Sequence, residues 1–217
     1  MAKILMAGGS GLVGKQVSAL LAARDVDVHL VSRRASTPLL SAITEHVAPT
    51  GDWPAIIDDI KAEIAISCLG TTIRTAGSRD AFRTVDHDLV LTLARASRDA
   101  GTRHFISISS VGAVPASGSF YLRTKAETEQ GLRQIGFKRL DVMRPSLLTG
   151  GQREDHRPGE ALGIFLSPII DMLMIGSMRK YASTPSGKVA KAIVALTNRS
   201  EAGVFIHEND SIGALAG

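Results

Sequence analysis

Tyr121 and Lys125 stand four residues apart in the run FYLRTKAETE, so a helix there carries both side chains on one face. A phenol and an ammonium held side by side form a proton-transfer pair. An unperturbed phenol titrates at about 10, which leaves on the order of a thousandth ionised at neutral pH, and a neighbouring cation favours the phenolate. A fall of ~3 units, equivalent to ~4 kcal/mol of interaction, would make the group a usable proton donor and acceptor. Upstream, Ser109 and Ser110 close the apolar run RHFISISS and bring hydroxyls toward the same place. A Tyr and a Lys at this spacing also occur as a plain solvent-facing pair, so the reading depends on what else the chain places beside them.

The opening stretch KILMAGGSGLVGKQV supplies a second constellation, with Gly8, Gly9, Gly11 and Gly14 between an apolar run and a helix-like one. Gly9, Gly11 and Gly14 spell G-x-G-x-x-G, whereas Gly8, Gly11 and Gly14 spell G-x-x-G-x-x-G. Both registers make one physical demand. One glycine turns the chain off the strand, one lets backbone N–H groups reach a pyrophosphate, and one lets the helix pack closely on the sheet. The turn from Gly8 through Ser10 to Leu12, Val13 and Gly14 is therefore expected to bind a dinucleotide at a helix N-terminus. An NAD site places an acid about 20 residues further on. Here the second strand ends in Ser32, Arg33 and Arg34, and two guanidiniums suit a 2′-phosphate. NADP is accordingly expected over NAD. An oxidised nicotinamide beside Tyr121 would favour the phenolate as Lys125 does.

The elements that position these groups follow from apolar runs alternating with helix-like segments. Lys3–Gly8, Val26–Ser32, Glu63–Gly70, Arg103–Ser110 and Leu140–Pro145 read as strands covered on both faces, and Glu45–Thr50 as a weaker one. LVGKQVSALLAARD, RDAFRTVDHDLVLTLARASRDAG and FYLRTKAETEQGLRQIGF read as helices, with Gly101 and Gly136 at helix ends. The alternation predicts an α/β fold with one doubly wound parallel sheet, a Rossmann fold with helices on both faces. Residues 1–217 read as a single dinucleotide-binding domain, with 151–180 as a small substrate-side segment. In that segment, Ala161–Met178 reads as a partly exposed helix near a pocket, interrupted by Pro168 and Asp171.

Composition sets the bounds. Hydrophobic residues make up 44% and charged ones 21%, which is ordinary for a globular chain. The lone Cys68 leaves no disulfide framework and reads first as a small buried hydrophobe. The six histidines are scattered, so no metal site is expected. A net charge of +4 spread along the chain fits a solvated surface attracting anionic ligands better than nucleic-acid binding. Neither a membrane span nor a signal peptide is expected, and a cytoplasmic setting is.

Taken together, GGSGLVG, SISS, YLRTK and MRPSLLTG resemble the atypical, extended-like branch of the short-chain dehydrogenase/reductase superfamily. CLGTT, VDHD, REDHRPGEAL and HEND narrow the resemblance to its small Tat-interacting-protein-like oxidoreductase group, over about Lys3 to Asp210. The resemblance implies Tyr121 as general acid/base, Lys125 binding the nicotinamide ribose, and Ser110 polarising a substrate oxygen, with Ser109 as its understudy. It implies a phosphate loop at Gly8, Gly11 and Gly14, and cofactor contacts from Cys68, Leu69, Gly70 and Thr71 and from Pro145, Ser146 and Leu147. Asp52, after the third strand, takes a place often near adenine. Two departures stand out. Asp86 occupies the place of an asparagine that extended members use, and only a short gap separates Ser110 from Tyr121.

The function these features favour is an NADP-dependent oxidoreductase acting on a carbonyl-type small molecule. The alternative is a non-catalytic NADP-binding sensor. Nucleotide-sugar epimerisation or dehydration is disfavoured because only 67 residues follow Gly150. Whether the protein acts as a monomer or a homodimer is left open by the sequence, as are the roles of Arg153, Arg157 and Glu160, which read either as substrate contacts or as loop surface.

Overall fold

The computed structural model describes residues 2–36, 40–150 and 182–217. Seven parallel strands form the sheet: β1 (Lys3–Ala7), β2 (Asp27–Ser32), β3 (Ile43–Val47), β4 (Ile64–Ser67), β5 (His104–Ile108), β6 (Arg139–Met143) and β9 (Gly203–His207). Their spatial order is β3-β2-β1-β4-β5-β6-β9. The order reverses between β1 and β4, and that switch point is where open parallel sheets leave a crevice beyond the strand ends. The near-continuous apolar runs are explained by burial on both faces. Ile4 and Met6 of β1 pack with α1 (Leu12–Ala22), α7 (Ser186–Leu196) and α8 (Asn209–Ala216), while Leu5 and Ala7 face α2 (Trp53–Ile60), α5 (Leu89–Asp99) and α6 (Phe120–Ile135). A short parallel pair, β7 (Leu148–Thr149) with β8 (Thr184–Pro185), brackets residues 151–181. The expected substrate-side segment, including Arg153, Arg157 and Glu160, lies outside the described residues.

The third strand begins earlier than the sequence predicts, at Ile43 rather than Glu45, because it pairs with β2 from Val28↔Ile43 onward. The long helix expected from Arg79 is not continuous. After α3 (Ile73–Ala76) it opens as α4 (Arg79–Arg83), widens into a π-helical turn at Thr84–Asp88 and resumes as α5. π-turns of this kind are rare and concentrate at functional sites. This one directs Asp86, 1% exposed, toward the strand ends. No described helix is long and apolar enough to cross a membrane.

Candidate active site

The turn between β1 and α1 is built so that only glycine fits at its two ends. Gly8 adopts φ +85°, and a Cβ there would lie 2.4 Å from the Cys68 carbonyl carbon. A Cβ on Gly14 would lie 2.0 Å from the Gly8 carbonyl oxygen, so the first turn of α1 packs directly on the loop. At Gly9 the clash, 2.8 Å, is only with the end of the Leu30 side chain. The positions that demand glycine are therefore Gly8 and Gly14, whereas a Cβ on Gly11 would make only ordinary contacts, the nearest at 3.4 Å. Gly11 caps α1 without any side-chain acceptor, and the first helical turn carries no acid. That leaves its N–H groups and the positive end of the helix dipole available to an anion. These features fit a dinucleotide pyrophosphate.

A cavity of about 720 Å³ extends from this turn across the ends of β1, β4 and β5. Ser10, Gly11, Leu12 and Val13 line one end, and Cys68, Leu69, Gly70 and Thr71 its floor. Ser110, Tyr121, Lys125, Pro145, Ser146 and Leu147 line the other end. The structure thus brings together groups from five separate stretches of sequence. It places Ser32, Arg33, Arg34 and Asp52 apart from that lining. Arg33, Arg34 and Asp52 are exposed, and Asp52 precedes α2 as its N-terminal residue.

Tyr121 opens α6 against the Phe82 ring, whose centroid is 5.5 Å away. The Arg123 guanidinium donates to the Ser117 and Gly118 carbonyls at 2.8 and 3.0 Å, fixing the short Ser110–Tyr121 connection. Lys125, one turn on, is buried and lies 2.7 Å from Asp86 Oδ1. Burial works against its charge, but the Asp86 carboxylate outweighs that, with smaller help from Tyr121 and Glu129, and holds the ammonium above its ordinary pKa. The Cys68 thiol is pushed up to about 12 by burial, which makes it an inert wall of the cavity at neutral pH.

Ser109 lines the cavity beside Ser110 and has a partner of its own. Its hydroxyl donates to Glu129 Oε1 at 2.6 Å, and Glu129 is also gripped by Arg144 through Nε at 2.9 Å and Nη2 at 2.6 Å. Ser110 makes a longer bond, to the Val111 carbonyl at 3.3 Å. Five residues escaped the sequence reading. Glu129 and Arg144 meet across strands and helix, Thr72 and Lys15 line the cavity, and Glu45 of β3 reaches the end of β2. There Glu45 accepts from the Ser32 and Ser36 hydroxyls at 2.9 and 2.7 Å and from the Ser36 N–H. Burial raises its pKa, but these donors more than offset that and keep it lowered. An acid therefore does stand beside the β2 end, contributed by the neighbouring strand.

The family model for the NAD dependent epimerase/dehydratase family matches residues 4–133. Among curated relatives, "Protein fmp52, mitochondrial" of Emericella nidulans is 37% identical over 176 residues, covering 77% of this chain and 75% of its own. The protein of that name from Coccidioides immitis is 30% identical over 210 residues, covering 90% and 85%. Among solved structures, the Bordetella bronchiseptica enzyme WbmH in complex with NAD+ superimposes with a TM-score of 0.70 at 14% identity, covering 96% of this chain and 75% of that one. The chain belongs to the NAD dependent epimerase/dehydratase family. The expected cytoplasmic setting is overturned, since both curated relatives are named as mitochondrial proteins.

Proposed function

We propose that this member of the NAD dependent epimerase/dehydratase family is an NADP-dependent oxidoreductase that works on a carbonyl-type small molecule through Ser110, Tyr121 and Lys125. The observation that carries the reading is that these three side chains line one cavity with the Gly8–Gly14 turn and the loop after β4. Bound there, the nicotinamide supplies hydride transfer. The chain does the rest. The α1 N-terminus and the turn hold the pyrophosphate, and Lys125 orients the ribose. The Ser110 hydroxyl donates to the substrate oxygen, and the Tyr121 phenol delivers or accepts the proton at that atom. Pro145, Ser146 and Leu147 wall the ring. Arg33 and Arg34, exposed just past β2, are assigned to the 2′-phosphate. The relatives' names support a mitochondrial setting.

The test is NADPH oxidation across a panel of quinones, aldehydes and ketones, with Tyr121→Phe alongside. Turnover is expected to fall by about 100-fold or more in the variant while NADPH affinity stays within about twofold. Equal turnover in the two proteins would remove Tyr121 from the chemistry, and NADPH binding without turnover in either would favour the non-catalytic, cofactor-sensing alternative.

A further inference from the structure

Three structural elements meet at one carboxylate. Asp86 sits in the π-turn Thr84–Asp88 and is almost wholly buried. Its Oδ1 lies 2.7 Å from Lys125 Nζ, and its Oδ2 accepts the Thr71 N–H at 2.8 Å. The Thr128 hydroxyl of α6 donates to the Asp86 backbone carbonyl at 3.0 Å, so the π-turn is pinned to the helix that carries Tyr121 and Lys125. The Asp86–Lys125 pair lies directly behind Gly70 of the cavity floor, where a Cβ would be in ordinary contact with Asp86 Oδ1 at 3.5 Å and Lys125 Nζ at 3.9 Å. The same carboxylate therefore touches the cation of the Tyr–Lys pair and the backbone of the loop that floors the cavity.

We propose that Asp86 is a positioning residue for the Tyr121–Lys125 pair: it fixes the ammonium relative to the cavity floor and balances its charge, setting how strongly Lys125 favours the phenolate. The inference rests on the reading of Tyr121 as the acid/base. The groups facing Lys125 are Asp86 from the π-turn and Tyr121 and Glu129 from α6. An ammonium paired to a carboxylate at ion-pair distance presents less net positive charge to a neighbouring phenol than a free one would. An asparagine at this position would hold the Thr71 N–H equally well but remove the negative charge that offsets the ammonium at Tyr121. The aspartate thus moderates the phenol's acidity, and the device is electrostatic rather than steric.

The experiment is a phenolate-absorbance titration of the full chain carrying Tyr181→Phe, which leaves Tyr121 as the lone tyrosine of the two in the sequence. Asp86→Asn in that background keeps an acceptor for Thr71, and its phenolate absorbance is expected to appear about one pH unit lower than in the parent. Asp86→Ser, neutral and smaller, should move it in the same direction. A midpoint unmoved or raised in either folded variant overturns the proposal. Failure of both variants to melt cooperatively would overturn it too, by assigning the carboxylate to the stability of the fold. The titration needs no substrate, so it separates this proposal from the proposed function. Tyr121→Phe retaining turnover would remove the catalytic reading, whereas an unshifted midpoint removes only the role of Asp86.

Discussion

At the residue scale the two adjacent serines just after β5 both line the cavity but differ in their partners. Ser109 spends its hydroxyl on Glu129, which is 2% exposed and needs every donor it has. Ser110 faces the cavity with only a long bond to its neighbour's carbonyl. Ser109→Ala is therefore expected to destabilise the protein by about 1–2 kcal/mol with little effect on turnover. Ser110→Ala is expected to change stability by less than about 0.5 kcal/mol and lower kcat by about 100-fold. Chemical denaturation and steady-state kinetics on the pair check both arms. Residue type alone does not separate the two, because the difference is a carboxylate twenty residues away that bonds Ser109.

At the scale of elements, strands β5, β6 and β9 are joined by a buried polar cluster. Asp141, fully buried, accepts from His104 and His207 at 2.7 Å each and from the Arg139 guanidinium at 2.6 and 2.9 Å. Burial opposes its charge, yet the two histidines and Arg139 prevail and hold its carboxyl well below the usual carboxylate range. A carboxyl whose folded pKa is depressed contributes stability that is fully present above its unfolded value of about 4. That stability is lost as pH falls toward the folded pKa. Acid unfolding followed by circular dichroism should show a stability decline beginning below about pH 4. Asp141→Asn should lower neutral-pH stability by roughly 3 kcal/mol and flatten that acid dependence. HEND was legible as a motif, and part of its meaning lies here. His207 bonds Asp141, and Asn209 ties α8 to the Ala182 carbonyl at 3.1 Å. The π-turn was not legible, because an extra residue inserted in a helix barely disturbs an apolar pattern read by spacing. Asp52, an acid after a strand, here precedes α2 and stands exposed outside the cavity lining.

At the scale of the whole molecule the architecture was plain in the sequence, since strands buried on both faces must be apolar throughout and each is followed by a helical stretch. What could not be read is which distant side chains converge, as Glu45, Glu129 and Asp86 each find partners across separate elements. Two exposed arginines beyond β2, with Glu45 close by, make cofactor choice a balance of charges at one sheet edge. NADPH at 100 times its Kd should stabilise the fold by about 2.7 kcal/mol, raising Tm by about 5–10 °C for a chain of this size. NADH at the same concentration should raise it less. The Arg33→Ala/Arg34→Ala variant should erase the difference, and an equal shift with both cofactors in the parent would cancel the assignment of the 2′-phosphate. The most direct measurement is a crystal structure of the protein grown with NADP+. The pyrophosphate is expected against the Gly8–Gly14 turn at the start of α1, with the nicotinamide ring between Tyr121 and Pro145–Leu147 and the ribose within hydrogen-bonding reach of Lys125. A ring bound elsewhere, or a turn closed over by the protein's own side chains, would contradict the account.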